Sequence, residues 1–143
     1  LGLSGDLATR DGDFPTAERR LTDAIDAAQR CGDNGMTGLF TIYLARTRLA
    51  IGRPHEAAAL ARTARDILRD AGDRYSEAFA IAELAKATLK ARGPSTAVPV
   101  LAEGVAALRA VGARSRAQEL SLALADACKA SGDPELATRY LQD

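Results

Sequence analysis

The chain has 143 residues, 19 of them Lys or Arg and 19 Asp or Glu, so its formal net charge is zero with the single His neutral. That balance excludes the basic face needed to displace counterions from nucleic acid, and the polybasic patch that would hold an anionic membrane. The length suffices for one domain with a buried core. No apolar run approaches the roughly 20 residues of a bilayer span, and no charged-then-apolar leader pattern is present.

Taken in chain order, residues 1 to 10 read as the back half of a helix, with Leu1, Gly5 and Ala8 in register with the later Thr41, Ala45 and Arg48. Asp11-Gly12-Asp13-Phe14-Pro15 is turn chemistry, with Pro preset for a first helical turn and Asp able to cap it. A helix is expected from about Pro15 to Cys31, placing Ala17, Leu21, Ala24 and Ala28 on one face at spacings of 4, 3 and 4. Gly32-Asp33 ends it, Gly supplying a left-handed C-cap and Asp the next N-cap.

The next helix runs from about Asn34 to Ile51, with Gly35 and Gly38 weakening its first turns. After Gly52-Arg53-Pro54 a helix from Pro54 to Ala71 presents Ala57, Leu60, Ala61, Ala64 and Leu68, and Gly72-Asp73 caps again. A third pair spans about Arg74–Ala91 and Pro94–Val111, with Pro99 in the first turns of its second helix, where its missing N–H is either tolerated or kinks the helix. The fourth is about Arg114–Ser131, then Gly132-Asp133-Pro134 and a short helix to Asp143. No strand pattern occurs, because Val and Ile are sparse and never alternate with polar residues.

The same grammar returns every 40 residues. Gly32, Gly72 and Gly112 keep that spacing, as do Ala17, Ala57, Ala97 and Ala137, and Ala45, Ala85 and Ala125 with Gly5 at the start. A fixed period of this size marks a stacked helical array, here with units of about 1–32, 33–72, 73–112 and 113–143. Connections of two to four residues force antiparallel neighbours, and small residues recurring in phase let their backbones approach closely. The expected fold class is all-α, an α-α superhelix or solenoid of antiparallel hairpins. Both ends stop inside the pattern, as expected of a piece of a longer protein.

Within each unit a Leu-Ala pair (Leu44-Ala45, Leu84-Ala85, Leu124-Ala125) precedes a turn. An Ala follows the turn Gly by five residues in Gly12…Ala17, Gly52…Ala57 and Gly132…Ala137, Arg92 standing in for Gly in the third unit. This resembles the tetratricopeptide repeat (TPR) over essentially the whole chain. It departs from that family in three ways. The unit is 40 residues rather than about 34, no aromatic opens the first helix, and no Pro closes the unit. Such units joined by Gly-Asp resemble the arrays of bacterial signal-transduction regulators, including maltose-activator, large LuxR-type and actinomycete antibiotic-regulatory proteins. The resemblance implies a non-catalytic, cytoplasmic scaffold that binds a protein, a peptide or a small effector, as the sensing arm of a larger transcriptional regulator. The competing reading is self-association through the end helices.

No catalytic, metal-binding or cofactor-binding constellation is present. His55 stands beside Pro54 and Glu56 with no nucleophile in prospect, no GxxxxGK[ST] loop occurs, and Cys31 and Cys128 have no CxxC or Cys/His company. Two repeats apart, these thiols are too far for a disulfide and suit a reducing cytosol. Glu18 to Arg20 and the Arg62, Arg65, Asp66, Arg69 and Asp70 run read as a solvated, partly salt-linked outer face.

The first helix of each pair carries a separate stripe: Leu39, Tyr43, Arg46 and Ala50, then Phe79, Glu83, Lys86 and Lys90, then Glu119, Ala123, Asp126 and Ala130. In the tetratricopeptide family this helix lines the concave surface, so the resemblance makes Leu39, Tyr43, Arg46, Phe79, Glu83, Lys86, Lys90, Glu119 and Asp126 the candidate partner-binding residues. Across the repeats the row reads Asp6, Arg46, Lys86, Asp126, with aromatics to one side. Such a row is suited to clasp an acidic segment by guanidinium pairing and ring stacking. The family's two-carboxylate clamp for peptide C-termini is not expected, because Ile42, Ala82 and Leu122 fill one of its rows.

Overall fold

The computed structural model describes residues 13–141. Seven helices follow one another: α1 (Phe14–Arg30), α2 (Asn34–Ala50), α3 (Pro54–Ala71), α4 (Arg74–Arg92), α5 (Pro94–Ala110), α6 (Arg114–Ala130) and α7 (Pro134–Leu141). No strand occurs among the described residues, and the helix bounds lie within a residue of those expected, apart from the end expected at Asp143, which lies outside the described residues. The expectations for residues 1–10, including Gly5 and Asp6, and for the Ala137 side chain fall outside what is described.

Each boundary has a local cause. At Gly72 (φ 75°) the left-handed cap lets Gly72 N–H donate to the Arg69 carbonyl and Asp73 N–H to the Leu68 carbonyl, at 3.1 and 3.0 Å. This paired closure satisfies two of the carbonyls that a helix end leaves orphaned. One residue later the Asp73 carboxylate accepts from Ser76 N–H, opening α4. Asp13 and Asp33 do the same for α1 and α2. Where Gly slips to position 93, α4 extends to 19 residues and α5 begins behind Gly93 with no side-chain cap. Pro99 neither ends nor divides α5 and lies on its exposed face.

Every helix packs on the ones before and after it, and α2 also touches α4, so the hairpins stack in sequence as an all-α helical-repeat superhelix. The two helix types differ in burial. The second helices α1 and α3 bury one narrow stripe each: Ala17, Leu21, Ala24 and Ala28, then Ala57, Ala61, Ala64 and Leu68. The first helices are enclosed on several sides, and α4 buries residues around most of its circumference, among them Ala78, Ala80, Ile81, Ala82, Leu84, Ala85 and Ala87. Ala17, Ala45, Ala57, Ala85 and Ala97 are all buried, as the repeat phase predicts, while Ala125 is only half-buried.

Two glycines on helix faces let a neighbour come closer than alanine would. A Cβ at Gly38 would lie 2.5 Å from Leu68 Cγ of α3, and one at Gly104 would lie 2.7 Å from Leu120 Cδ2 of α6. The pairing of sizes is compensatory: the Gly104 and Leu120 positions are occupied one repeat earlier by Ala64 and Ala80, which share a buried cluster. Small opposite large in one unit replaces medium opposite medium in another, which keeps the helices packed at native density.

Part of the charged outer face is salt-linked across helices. Glu18 does not simply face water. It reaches across to α2, where its Oε1 lies 2.8 Å from Arg48 Nε, an ion pair by distance whose angle falls outside hydrogen-bond geometry. Arg48 Nη1 also donates to Glu56 Oε2 of α3 at 2.9 Å. One guanidinium therefore ties three helices together.

Candidate functional site

Part of the stripe on the first helices borders a cavity. Leu39, Tyr43 and Arg46 of α2 and Phe79 of α4 line one cavity of about 210 Å³, joined there by Ile42, Tyr75, Ser76 and Arg116. Spacings of 3 and 4 along α2 point Leu39, Tyr43 and Arg46 the same way, and the packing of α2 on α4 brings Phe79 opposite. Tyr75 and Phe79 are one turn apart with ring centroids 5.0 Å apart and tilted by 53°. Tyr75 leaves 58% of its surface in solvent, an unusual exposure for an aromatic ring.

Two guanidiniums complete the walls, each on a ring. Arg46 lies 5.5 Å from the Tyr43 ring centroid and Arg116 lies 5.7 Å from that of Phe79. They are held differently. Arg46 Nε donates to Glu83 Oε1 at 3.2 Å, and Lys86 Nζ lies 3.5 Å from the same oxygen. Glu83 is 4% exposed, so its carboxylate is met by these two partners rather than by bulk water. Arg116, on the exposed first turn of α6, has no carboxylate within 4.0 Å among the described residues.

Several expected site residues therefore take other roles. Glu83 is a buried counter-ion at the edge of the groove, set against the Arg46–Lys86 pair expected to clasp an acidic segment. Lys86, Glu83 and Glu119 line a narrow crevice continuing from the main cavity past Phe79 and Arg116. Lys90 and Asp126 are exposed and line neither space. Tyr75, Ser76 and Arg116 were not in the expected stripe. Tyr75 and Ser76 precede it by one turn, and their place opposite Leu39 and Tyr43 depends on how α2 crosses α4. Arg116 sits three residues before Glu119, so an i, i+3 extension of the stripe would have included it.

Charged links elsewhere are structural. Arg69 Nε donates to Glu77 Oε2 at 2.9 Å, joining the end of α3 to the start of α4, and this bond pushes the Arg69 guanidinium above its ordinary value. Both cysteines are free thiols, Cys31 exposed and Cys128 buried. Burial raises the Cys128 thiol above its ordinary value, with the nearby Asp133 charge adding to it. Among the described residues no group of His, Cys, Asp and Glu has the proximity to hold a metal ion, and no helix is long and apolar enough to cross a membrane. No protein-family model matches the chain, and a search of curated proteins finds no match.

Proposed function

We propose that the chain is a non-catalytic interaction array of tetratricopeptide type, whose cavity between α2, α4 and α6 receives one apolar or aromatic group carrying a negative charge. The observation that supports this reading is the composition of that cavity: three aromatic rings and two guanidiniums, with no carboxylate in its lining. Rings supply a large contact area at low entropic cost, and arginine stacked on a ring presents its N–H fork to a carboxylate or similar anion. Arg116 is the anchoring cation in this reading and Arg46 the secondary one. The occupant is a segment of a protein or peptide partner, or a small effector, and the array is the sensing arm of a larger bacterial transcriptional regulator acting in the cytoplasm. The free, exposed thiol of Cys31 fits a reducing compartment.

The test uses tyrosine emission, since the chain has no Trp and two of its three Tyr line the cavity. Acidic peptides bearing one aromatic residue, and small aromatic carboxylates, are titrated against wild type and Arg116→Glu protein. Saturable quenching lost by at least tenfold in affinity in the variant supports the groove. Equal affinity in both proteins removes it from consideration.

A second reading, self-association, has one observation in its favour. Leu122 is 64% exposed, whereas its counterparts Ile42 and Ala82 are buried beside the first helix of the next unit. In this reading a second copy covers Leu122. Sedimentation over a concentration series decides it: association abolished by Leu122→Glu supports it, and a monomer throughout defeats it.

A further inference from the structure

The 40-residue repeat allows three equivalent inter-hairpin seams to be compared position by position, and their chemistry differs. In the first seam the three filling positions hold Glu18, Arg48 and Glu56, with the guanidinium 2.8 Å from Glu18 and 2.9 Å from Glu56. In the third they hold Val98, Cys128 and Leu136, packed into one apolar cluster. In the second they are Ala58, Thr88 and Thr96, none long enough to replace a Glu or an Arg. A cavity of about 240 Å³ stands there instead, with these three residues in its wall.

Around that cavity the cations collect. Arg62, Arg65 and Arg92 line it, with the His55 ring beside them, where the first seam has Thr22, Ile25, Gly52 and Pro15. The second seam thus lacks the two carboxylates and the Arg48 guanidinium of the first, and has three other guanidiniums and an imidazole in their place. Packing does not explain the gain, because the other two seams close without these charges. No carboxylate lines the cavity. Arg65 Nη2 lies 3.1 Å from its chain neighbour Asp66, and among the described residues neither Arg62 nor Arg92 has a carboxylate within 4.0 Å. The start of α5 adds the same sign, since Gly93 offers no side-chain cap where its counterpart Asp13 caps α1. The closing carbonyls of α4 oppose it with a macrodipole of roughly half a charge, which three full guanidinium charges outweigh.

We propose that this cavity is a binding site for a phosphoryl anion, carried by a small phosphorylated molecule or by a phosphorylated side chain. A single carboxylate would leave most of the charge unmet. A phosphoryl group brings nearly two negative charges and three acceptor oxygens, to be met by three guanidiniums from two helices in the cavity's wall, Arg62 and Arg92 exposed and Arg65 half-buried. The cavity accommodates the group with a small organic portion. The site shares no lining residue with the aromatic cavity and does not depend on the reading given for it.

The experiment is calorimetric titration of the whole chain at constant ionic strength with inorganic pyrophosphate and with a phosphoserine peptide, using its unphosphorylated form as control. Saturable binding by wild type is expected, weakened at least tenfold in Arg62→Gln/Arg92→Gln. A second variant, Ala58→Glu/Thr96→Glu, restores the carboxylates of the first seam. It is expected to fold, as judged by circular dichroism, and to lose the anion as well. Arg19→Gln/Arg109→Gln removes the same charge from exposed positions on α1 and α5 and is expected to bind as wild type does. Tighter pyrophosphate binding identifies a free phosphorylated molecule, and tighter phosphopeptide binding a modified side chain. Absence of binding to both, equal affinity in Arg62→Gln/Arg92→Gln, or the same loss in the Arg19 and Arg109 control overturns the proposal.

Discussion

Gly35 and Gly38 lie one helical turn apart on α2, and replacing each by Ala separates helix propensity from packing. Ala is favoured over Gly in a helix interior by about 0.8–1.0 kcal/mol. At Gly35 the new Cβ meets only Asp33 Oδ1, at an ordinary 3.6 Å, so Gly35→Ala is expected to stabilise by up to ~1 kcal/mol. At Gly38 the Cβ would lie 2.5, 2.6 and 3.1 Å from Leu68 Cγ, Cδ2 and Cδ1. Leu68 is fully buried, and Cγ is the branch point of its side chain, so relief requires α2 and α3 to part by about 1 Å to reach normal contact near 3.5–4 Å. Overpacking of this kind costs about 1–3 kcal/mol, which the propensity gain offsets only in part. Gly38→Ala is therefore expected to be less stable than Gly35→Ala by about 1–3 kcal/mol, or roughly 3–10 °C in thermal midpoint. Urea and thermal unfolding followed by far-ultraviolet circular dichroism measure this directly. Leu68→Ala in the Gly38→Ala background completes the cycle, and its cost there is expected to fall below the roughly 2–5 kcal/mol of Leu68→Ala alone. If Gly38→Ala matches or exceeds Gly35→Ala in stability, the close-approach argument is wrong.

Three further outcomes follow from the same structure. Glu83→Gln removes the negative charge that faces Arg46 and Lys86 while keeping an amide oxygen able to accept from either. Because both cations retain some access to water, a loss of about 1–2 kcal/mol is expected, read from the urea midpoint. Ala113 stands where Asp33 and Asp73 cap the preceding first helices, and α6 has no side-chain cap. Ala113→Asp should thus add about 0.5–1 kcal/mol, and no gain would show that its partly buried setting rejects the charge. In native protein a thiol reagent should modify Cys31 quickly and Cys128 only on unfolding. The raised Cys128 thiol keeps its proton in the folded chain at a pH where the unfolded chain loses it. Stability should consequently fall as pH rises above the ordinary thiol range, and Cys128→Ala should flatten that slope.

Local signals account for most of the helices. Gly72 followed by Asp73 specifies a left-handed stop and a carboxylate start within two residues, which is why the bounds of α3 and α4 were legible without any tertiary information. The candidate site was legible in part. Leu39, Tyr43 and Arg46 share a face by helical geometry alone, but Tyr75, Ser76 and Arg116 join them through packing between helices that no spacing along the chain encodes. Glu83 illustrates the same limit. Periodicity put it on the stripe with Lys86, and only the packed structure shows it below the surface, where burial turns a possible contact into a counter-ion.

What the amino-acid order determined by itself was the repeating hairpin: small residues in phase, Gly and Asp at its corners, and two helix types of similar length. These are short-range effects, decided by backbone dihedrals, capping bonds and side-chain volume within one unit. Tertiary structure alone decided which charges are spent inside the protein and which remain for another molecule. Glu18, Arg48 and Glu56 close one seam, while forty residues on Ala58, Thr88 and Thr96 leave a space edged by cations. That difference depends on side chains from separate helices meeting at one point, and Coulomb and packing energies act only once the helices have brought them there.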